Sequence, residues 1–320
     1  MMKKVLVYIQ QDQGKINFVS LEALHGAQKI ANKFDGIVSA VTFNSMVAES
    51  LCNYDVSEVI LLDSPHLETY NPLNHIKAME FVANEESADM LVFGHTYEAR
   101  DWVPRLSARL DIPFISDCIN FKIDEKLNLV RSVYQGKLNS DIVVNGDKCI
   151  VSFQSGAFRV DSLKSGSASI RKQAIDLSDV SDSIKPGEKF QDSETSVDLS
   201  QADVIVSVGR GIGKEENLLT ARDLASAMGG QLASSRPIVD SGWLEPYHQI
   251  GSSGQTVTPK LYLALGISGA IQHIVGMKGS KNIVVINKDP NAPLFEIADY
   301  GVVGDLFEIV PKLISAIQSN

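Results

Sequence analysis

Apolar residues recur along this chain in two alternating patterns, short continuous runs and helically spaced stripes. Val5–Ile9, Gly36–Phe43, Glu58–Leu62 and Met90–Gly94 have the length and content expected of buried parallel strands. Ser20–Phe34 sets Leu21, Leu24, Ala27, Ile30 and Ala31 at helical spacing. His75–Glu86 and Trp102–Leu110 read as further helices, the second stopping before Asp111-Ile112-Pro113. Ile119–Ile123, Leu129–Tyr134 and Cys149–Phe153 read as strands of a less regular, partly antiparallel region. From Asp176 to Ser200 the chain turns to Ser, Asp, Glu and Lys around Pro186-Gly187, the chemistry of a linker.

Alternation then resumes. Val204–Val208, Gly229–Ala233, Leu261–Leu265, Ile283–Asn287 and Tyr300–Val303 read as strands. Glu215–Met228 and Leu306–Ile317 read as helices, and Ser268–Val275 as a helix start. Strands separated by helices predict parallel sheets. The expected fold class is therefore α/β in two domains. Residues 1–190 form an N-terminal open α/β sheet, 176–200 a polar linker region, and 200–320 a parallel, doubly wound C-terminal domain.

Bulk numbers narrow the function. At 320 residues the chain suits two cores, and 44% hydrophobic with 21% charged residues is ordinary for a globular protein. A net charge of −10 speaks against a nucleic-acid surface or a polybasic membrane patch. No apolar run approaches the roughly 20 residues of a membrane span, so no direct insertion is expected. Met1-Met2-Lys3-Lys4 runs straight into the first strand, so a cytoplasmic protein without a targeting peptide is expected. Cys52, Cys118 and Cys149 are far apart with no C-x-x-C, which predicts free thiols and no zinc or iron–sulfur site.

The richest stretch is Leu263–His273 followed by Ile283–Asn287, a strand, a glycine turn, a helix start and a second strand. Glycines there let backbone approach a ligand, and a helix N-terminus favours phosphate. Val208-Gly209-Arg210-Gly211-Ile212-Gly213-Lys214 also follows a strand, but Lys214 stands where the dinucleotide fingerprint needs glycine, and the Walker spacing is absent. It remains a glycine turn with an arginine able to meet a phosphate, or simply a strand terminator. Arg236, in Ser234-Ser235-Arg236-Pro237, either points to the crevice at a strand end or is a solvated surface residue. Gly251-Ser252-Ser253-Gly254 is a polar loop that could bind a ligand or merely connect. His273 and Asn287 join this edge, as does Asp305, which could equally cap the helix opening at Leu306. Convergence of Arg210, Arg236, His273, Asn287 and Asp305 on one predicted sheet edge points to a nucleotide-type crevice, without naming the nucleotide.

Residues Pro259–Asp305 closely resemble the signature region of the electron transfer flavoprotein alpha subunit. The matching text is Pro259-Lys260-Leu261-Tyr262, Gly266–His273, Gly276-Met277, Val285-Ile286-Asn287-Lys288-Asp289, Ala292-Pro293 and Ala298-Asp299-Tyr300-Gly301. The likeness extends back through Ser235-Arg236, Val208–Gly211 and Arg100–Asp117, and covers essentially the whole chain. It implies a nucleotide-hydrolase-like first domain and FAD held mainly by the second. It also implies a heterodimer with a beta subunit, electrons taken from flavin dehydrogenases such as those of fatty acid beta-oxidation, and a membrane quinone oxidoreductase as acceptor.

By position, the resemblance puts Arg210, Ser235, Asn287, Asp305 and Leu306 along the adenosine, pyrophosphate and ribityl parts. Ile250, Gly251, Ser252 and Ser253 would surround the ribityl chain and ring together with Ser268, Gly269, Ala270, Ile271, Gln272 and His273. Arg236, Ser253 and His273 would lie nearest the ring, His273 as a donor to the edge that gains negative charge on reduction and Arg236 as a fixed positive charge. The chain departs from the family at Ser252-Ser253, where Gln-Thr is common, and at Gln255, where Lys is common. An electron carrier needs no catalytic acid, base or nucleophile. The alternatives are an electron-bifurcating member of the same family, or a nucleotide-binding module without redox activity.

Overall fold

A computed structural model describes residues 4–124, 126–134, 136–180, 183–187, 199 and 202–319. Within the polar stretch 176–200, residues 181, 182, 188–198 and 200 lie outside the described residues. The chain divides into two compact units, Met1–Ser132 with Asn139–Phe190 and Val133–Leu138 with Gln191–Asn320.

The first unit runs β1 (Lys4–Tyr8), a small antiparallel pair β2 (Gln11–Asp12) and β3 (Lys15–Ile16), α1 (Phe18–Lys33), β4 (Ile37–Thr42), α2 (Ser45–Leu51), β5 (Glu58–Asp63) and α3 (Pro72–Glu85). It continues with β6 (Met90–Gly94), α4 (Tyr97–Leu110), β7 (Phe114–Ile123), β8 (Leu127–Val133), β9 (Leu138–Val143), β10 (Cys149–Phe153) and β11 (Ile170–Ala174). Among the described residues these strands form a nine-stranded sheet in the order β11-β5-β4-β1-β6-β10-β7-β8-β9. Pairing is parallel from β11 to β7, and β8 runs antiparallel to β7.

Each of the four helices opens on a residue whose side chain takes an orphan N–H. Asn17 accepts from Val19, Asn44 from Val47, Asn71 from Leu73, and Thr96 from Ala99. The pleat of β1 divides the core. Val5 and Val7 pack with α1 and α2 on one face, while Leu6 and Tyr8 pack with α3 and α4 on the other. At the edge, β11 pairs parallel with β5. Arg171 of β11 ties it there, with Nε 2.7 Å from Glu58 Oε2 and Nη2 2.6 Å from Glu86 Oε1.

The second unit runs β12 (Val204–Val208), α5 (Leu218–Ala227), β13 (Gln231–Ser234), α6 (Arg236–Asp240), β14 (Leu261–Leu265), α7 (Ile271–Val275), β15 (Ile283–Asn287), β16 (Tyr300–Val303) and α8 (Leu306–Gln318). Its sheet is parallel throughout, in the order β13-β12-β14-β15-β16. Val206, Val208, Leu263 and Leu265 face α5 and α8 on one side, and Ile205, Tyr262, Ala264 and Val285 form the core of the other. Doubly wound burial of this kind explains why β12 and β14 are continuous apolar runs.

Several elements differ from the sequence expectation. The helix predicted from Glu215 opens as a 3-10 turn over Glu215–Asn217 before α5 begins. The helix predicted from Ser268 begins only at Ile271, because Gly269 sits at φ 93° and Ala270 is not yet helical. Residues 268–270 are therefore non-helical chain, and the five-residue α7 has little dipole to offer a phosphate.

Candidate functional site

In the second sheet the chain first moves from β12 outward to β13, then returns to place β14 on the other flank of β12. At this reversal the loops beyond the carboxyl ends of adjacent strands diverge and leave a crevice. The strand ends here are unusually close. Gly209 N donates to Leu265 O at 2.9 Å, and Gly211 N to Gly266 O at 3.0 Å. A Cβ on Gly211 would lie 2.7 Å from the Gly266 Cα, and Gly266 itself holds φ 61°. The two loops thus meet backbone to backbone, which only glycine permits at both positions.

The crevice is a cavity of about 720 Å³. Of the residues singled out from the sequence, Arg210, Ser235, Arg236, Ile250, Gly251, Ser252, Ser253, Ser268, Ala270, Gln272, His273 and Asn287 line it. The remaining four do not. Asp305 caps α8, its Oδ1 accepting from Phe307 N at 2.8 Å. Leu306, the first residue of α8, is buried in the core. Gly269 is buried against Leu294, where a Cβ would come within 2.4 Å of the Leu294 N. Ile271 is exposed away from the lining.

Charge on the walls comes from two arginines and two aspartates. Arg236 opens α6 and pairs with Asp240 one turn on, Nε to Oδ2 3.3 Å. Its side chain is 67% exposed, so the pair is solvent-screened. Arg210 follows β12 and has no ion-pair partner among the described residues. Asn287 is committed within the protein. Its Nδ2 donates to Ile267 O at 3.0 Å, and its Oδ1 accepts from Asp289 N at 3.1 Å.

One wall is the loop from Gln249 to Val257, fastened to α7. Ser252 N donates to Gln272 O at 2.8 Å, and Val257 N donates to Gly276 O at 2.8 Å. Gln249 Nε2 reaches Ser253 Oγ at 2.9 Å, and Gln255 Nε2 donates to Tyr247 O at 2.6 Å. Gly251 takes φ 142° with its Cα against Gly276, so the loop lies flat on the helix. His273 is 5% exposed, and both of its ring nitrogens are occupied. Nδ1 lies 3.1 Å from Ile250 O, and Nε2 lies 2.9 Å from the Tyr262 hydroxyl. Burial pushes its pKa down to about 4, so the ring is neutral near pH 7. His273 thus lines the cavity with both ring nitrogens bonded within the protein.

The sequence reading missed Gly211, Pro237, Asp240, Gln249, Gly266, Ile267 and Asp289 as lining residues. Asp240 was within reach: Arg236 and Asp240 stand four apart, and Pro237 at the start of a helix is a known opening signal.

Comparison with known proteins fits this geometry. Residues 198–278 match the electron transfer flavoprotein FAD-binding domain, and residues 5–178 match the electron transfer flavoprotein domain. An electron transfer flavoprotein subunit alpha of Thermoanaerobacterium thermosaccharolyticum is 36% identical, covering 99% of this chain and 98% of that protein. The chain belongs to the electron transfer flavoprotein alpha family. Another subunit alpha, from Bacillus subtilis, is 37% identical over 97% of this chain and 96% of its own. A protein of Anaerotignum propionicum named acryloyl-CoA reductase electron transfer subunit beta is 33% identical over 99% of this chain and 96% of its own.

FAD is the cofactor of this electron transfer flavoprotein domain, and the residues present suit it. The cavity lies within the roughly 300–1,000 Å³ of ligand clefts, and Gly211 and Gly266 line it where a Cβ on either would run into the backbone of the other. Arg210, without an ion-pair partner among the described residues, suits a phosphate, and the hydroxyls of Ser252, Ser253 and Ser268 suit a polyol. Among the described residues no helix is long and apolar enough to cross a membrane.

Proposed function

We propose that this chain is the alpha subunit of a heterodimeric electron transfer flavoprotein. It pairs with a beta subunit, takes electrons from flavin dehydrogenases, acyl-CoA dehydrogenases among them, and delivers them to an acceptor such as a membrane quinone oxidoreductase. The observation that carries this reading is the glycine-floored cavity at the reversal of the second sheet, inside a domain of the FAD-binding family. The relative named for acryloyl-CoA reductase supports an acyl-CoA oxidoreductase as redox partner. FAD supplies reversible one- and two-electron chemistry, so the protein's part is to hold the cofactor and set its potential.

The site residues divide by chemistry. Arg210 and Ser235 bind the phosphate end. Ile250 to Ser253 with Ser268, Ala270, Gln272 and His273 enclose the polyol and ring, through exposed hydroxyls and loop backbone, while Gly269 and Ile271 shape the turn that carries them. Arg236 contributes a positive charge at the mouth, weakened by Asp240 and by solvent. Asn287 acts through the Ile267 carbonyl that it holds, and Asp305 with Leu306 through the seating of α8.

The test is the visible spectrum of the chain co-produced with its beta subunit, titrated anaerobically with reductant. One reducible flavin per heterodimer is the expected result. Two would move the reading to an electron-bifurcating complex, and none after added FAD would overturn it.

A further inference from the structure

The pairing of His273 with Tyr262 says more about the cavity wall than its position alone. A backbone carbonyl can only accept, so the 3.1 Å contact between His273 Nδ1 and Ile250 O places the proton on Nδ1. In a neutral ring Nε2 is then an acceptor, and the hydroxyl 2.9 Å away on Tyr262 must donate to it. Tyr262 lies in the middle of the sheet with no exposed surface, and burial holds its hydroxyl protonated far above the ordinary range. We infer that Tyr262 is a positioning residue for the FAD site: it locks His273 as the neutral, Nδ1-protonated tautomer, which in turn holds the Ile250 carbonyl and presents the loop 250–253 to the cofactor. This inference rests on the FAD-site reading above.

The surroundings support the lock. From β14 the titratable group facing the imidazole is Tyr262, and α7 itself carries no other ionisable side chain. From the loop it meets a carbonyl, and the charged groups on the cavity walls are Arg210, Arg236, Asp240 and Asp289. The lowered pKa of His273 is caused by desolvation, which the Ile250 bond only partly offsets. The loop depends on this anchor. Ile250 N is itself bonded to Ser234 O at 2.9 Å, so a backbone bond holds the loop to β13 while the imidazole joins the loop, α7 and β14. A histidine held in this way neither gives nor takes a proton when the charge of the cofactor changes, and the electrostatic response of the site falls to its fixed charges.

The deciding experiment uses the full chain with its beta subunit and FAD, labelled with 15N at its six histidines, with His273→Asn assigning the resonance. Nitrogen shifts followed from about pH 8 to about pH 5 should show His273 neutral and Nδ1-protonated throughout, consistent with a pKa near 4. Tyr262→Phe keeps the ring and removes one oxygen. It should raise the His273 titration midpoint by about one unit, mix the two tautomers, and weaken FAD binding about tenfold. A parent His273 that carries its proton on Nε2, or is charged near neutrality, overturns the inference, as does a Tyr262→Phe protein with unchanged shifts and titration. The shifts can be read whether or not flavin is bound. A chain that binds no FAD would therefore defeat the carrier reading while still deciding the tautomer.

Discussion

The two units carry the same device with opposite outcomes. Each is an open, largely parallel sheet in which the chain reverses around its first strand, between β1 and β6 in one and between β12 and β14 in the other. Both reversals are the place where such folds bind ligands. In the second unit the strand ends carry Gly209 and Gly266, and the cavity measures about 720 Å³. In the first, β1 ends in Tyr8, β4 is followed by Phe43, and the space shrinks to about 20 Å³, room for about one water. Tyr8 meets Trp102 edge-on at 5.2 Å, Phe43 meets His75 at 4.9 Å, and Tyr70 closes on His75 at 5.0 Å. Topology offers a crevice, and the size of two or three residues at the strand ends decides whether it is used.

The comparison breaks most readily at Gly266. Valine there meets both a left-handed backbone and the Gly211 Cα, and strain plus overpacking should cost about 4 kcal/mol. Gly266→Val should therefore retain no flavin on gel filtration with its partner; full flavin content would show that the glycine floor is dispensable. Tyr8→Ala in the first unit should cost about 3 kcal/mol by denaturant unfolding, because a buried aromatic plug is lost. Its flavin content should be unchanged, and a coupled loss of flavin would show that the two reversals are not independent.

A buried histidine stands at each reversal, and burial lowers both, His75 and His273, to about 4. Between pH 4 and the ordinary value near 6.5 the unfolded chain binds protons that the native one refuses, so stability falls as pH drops through that window. Each histidine should contribute up to about 3 kcal/mol to this acid limb, the product of the shift and 1.36 kcal/mol per unit. His75→Gln should flatten the limb for the first unit alone, measured by urea unfolding at pH 5 and pH 7. The smallest expected effect is at the mouth of the open site. Arg236→Ala should lower the flavin potential by only about 30 mV, since the charge it removes is exposed and paired with Asp240. An unchanged potential in spectroelectrochemistry would take Arg236 out of the tuning set.

Much of this was legible in the pattern of apolar residues. β1, β6, β10, β12, β14 and β15 are buried on both faces and therefore appear as plain hydrophobic runs. β9 and β11 escaped because they alternate exposed, polar positions, and β11 carries Arg171-Lys172-Gln173 as an edge strand. α2 is a single short helix, and α6 was hidden by a proline that opens it rather than breaks it. In the site, strand ends announced Arg210, Arg236 and Asn287, whereas the engagement of His273 depends on Tyr262, eleven residues away on a different element. Such a contact leaves no periodic trace. The plug formed by Tyr8, Phe43, Tyr70 and His75 is equally silent, because each residue alone reads as ordinary core.

The pairing of β11 with β5 has a consequence for synthesis. β11 closes the edge of the first sheet with a partner more than a hundred positions upstream, and Arg171 clips it to Glu58 and Glu86. A nascent chain cannot complete that sheet until residue 174 has left the ribosome, and a closing loop of this length is slow to find its partner. The β4–β5 edge would stay open to stray pairing until then, so the first half of the protein is at greatest risk of aggregation just before the polar stretch after β11 emerges.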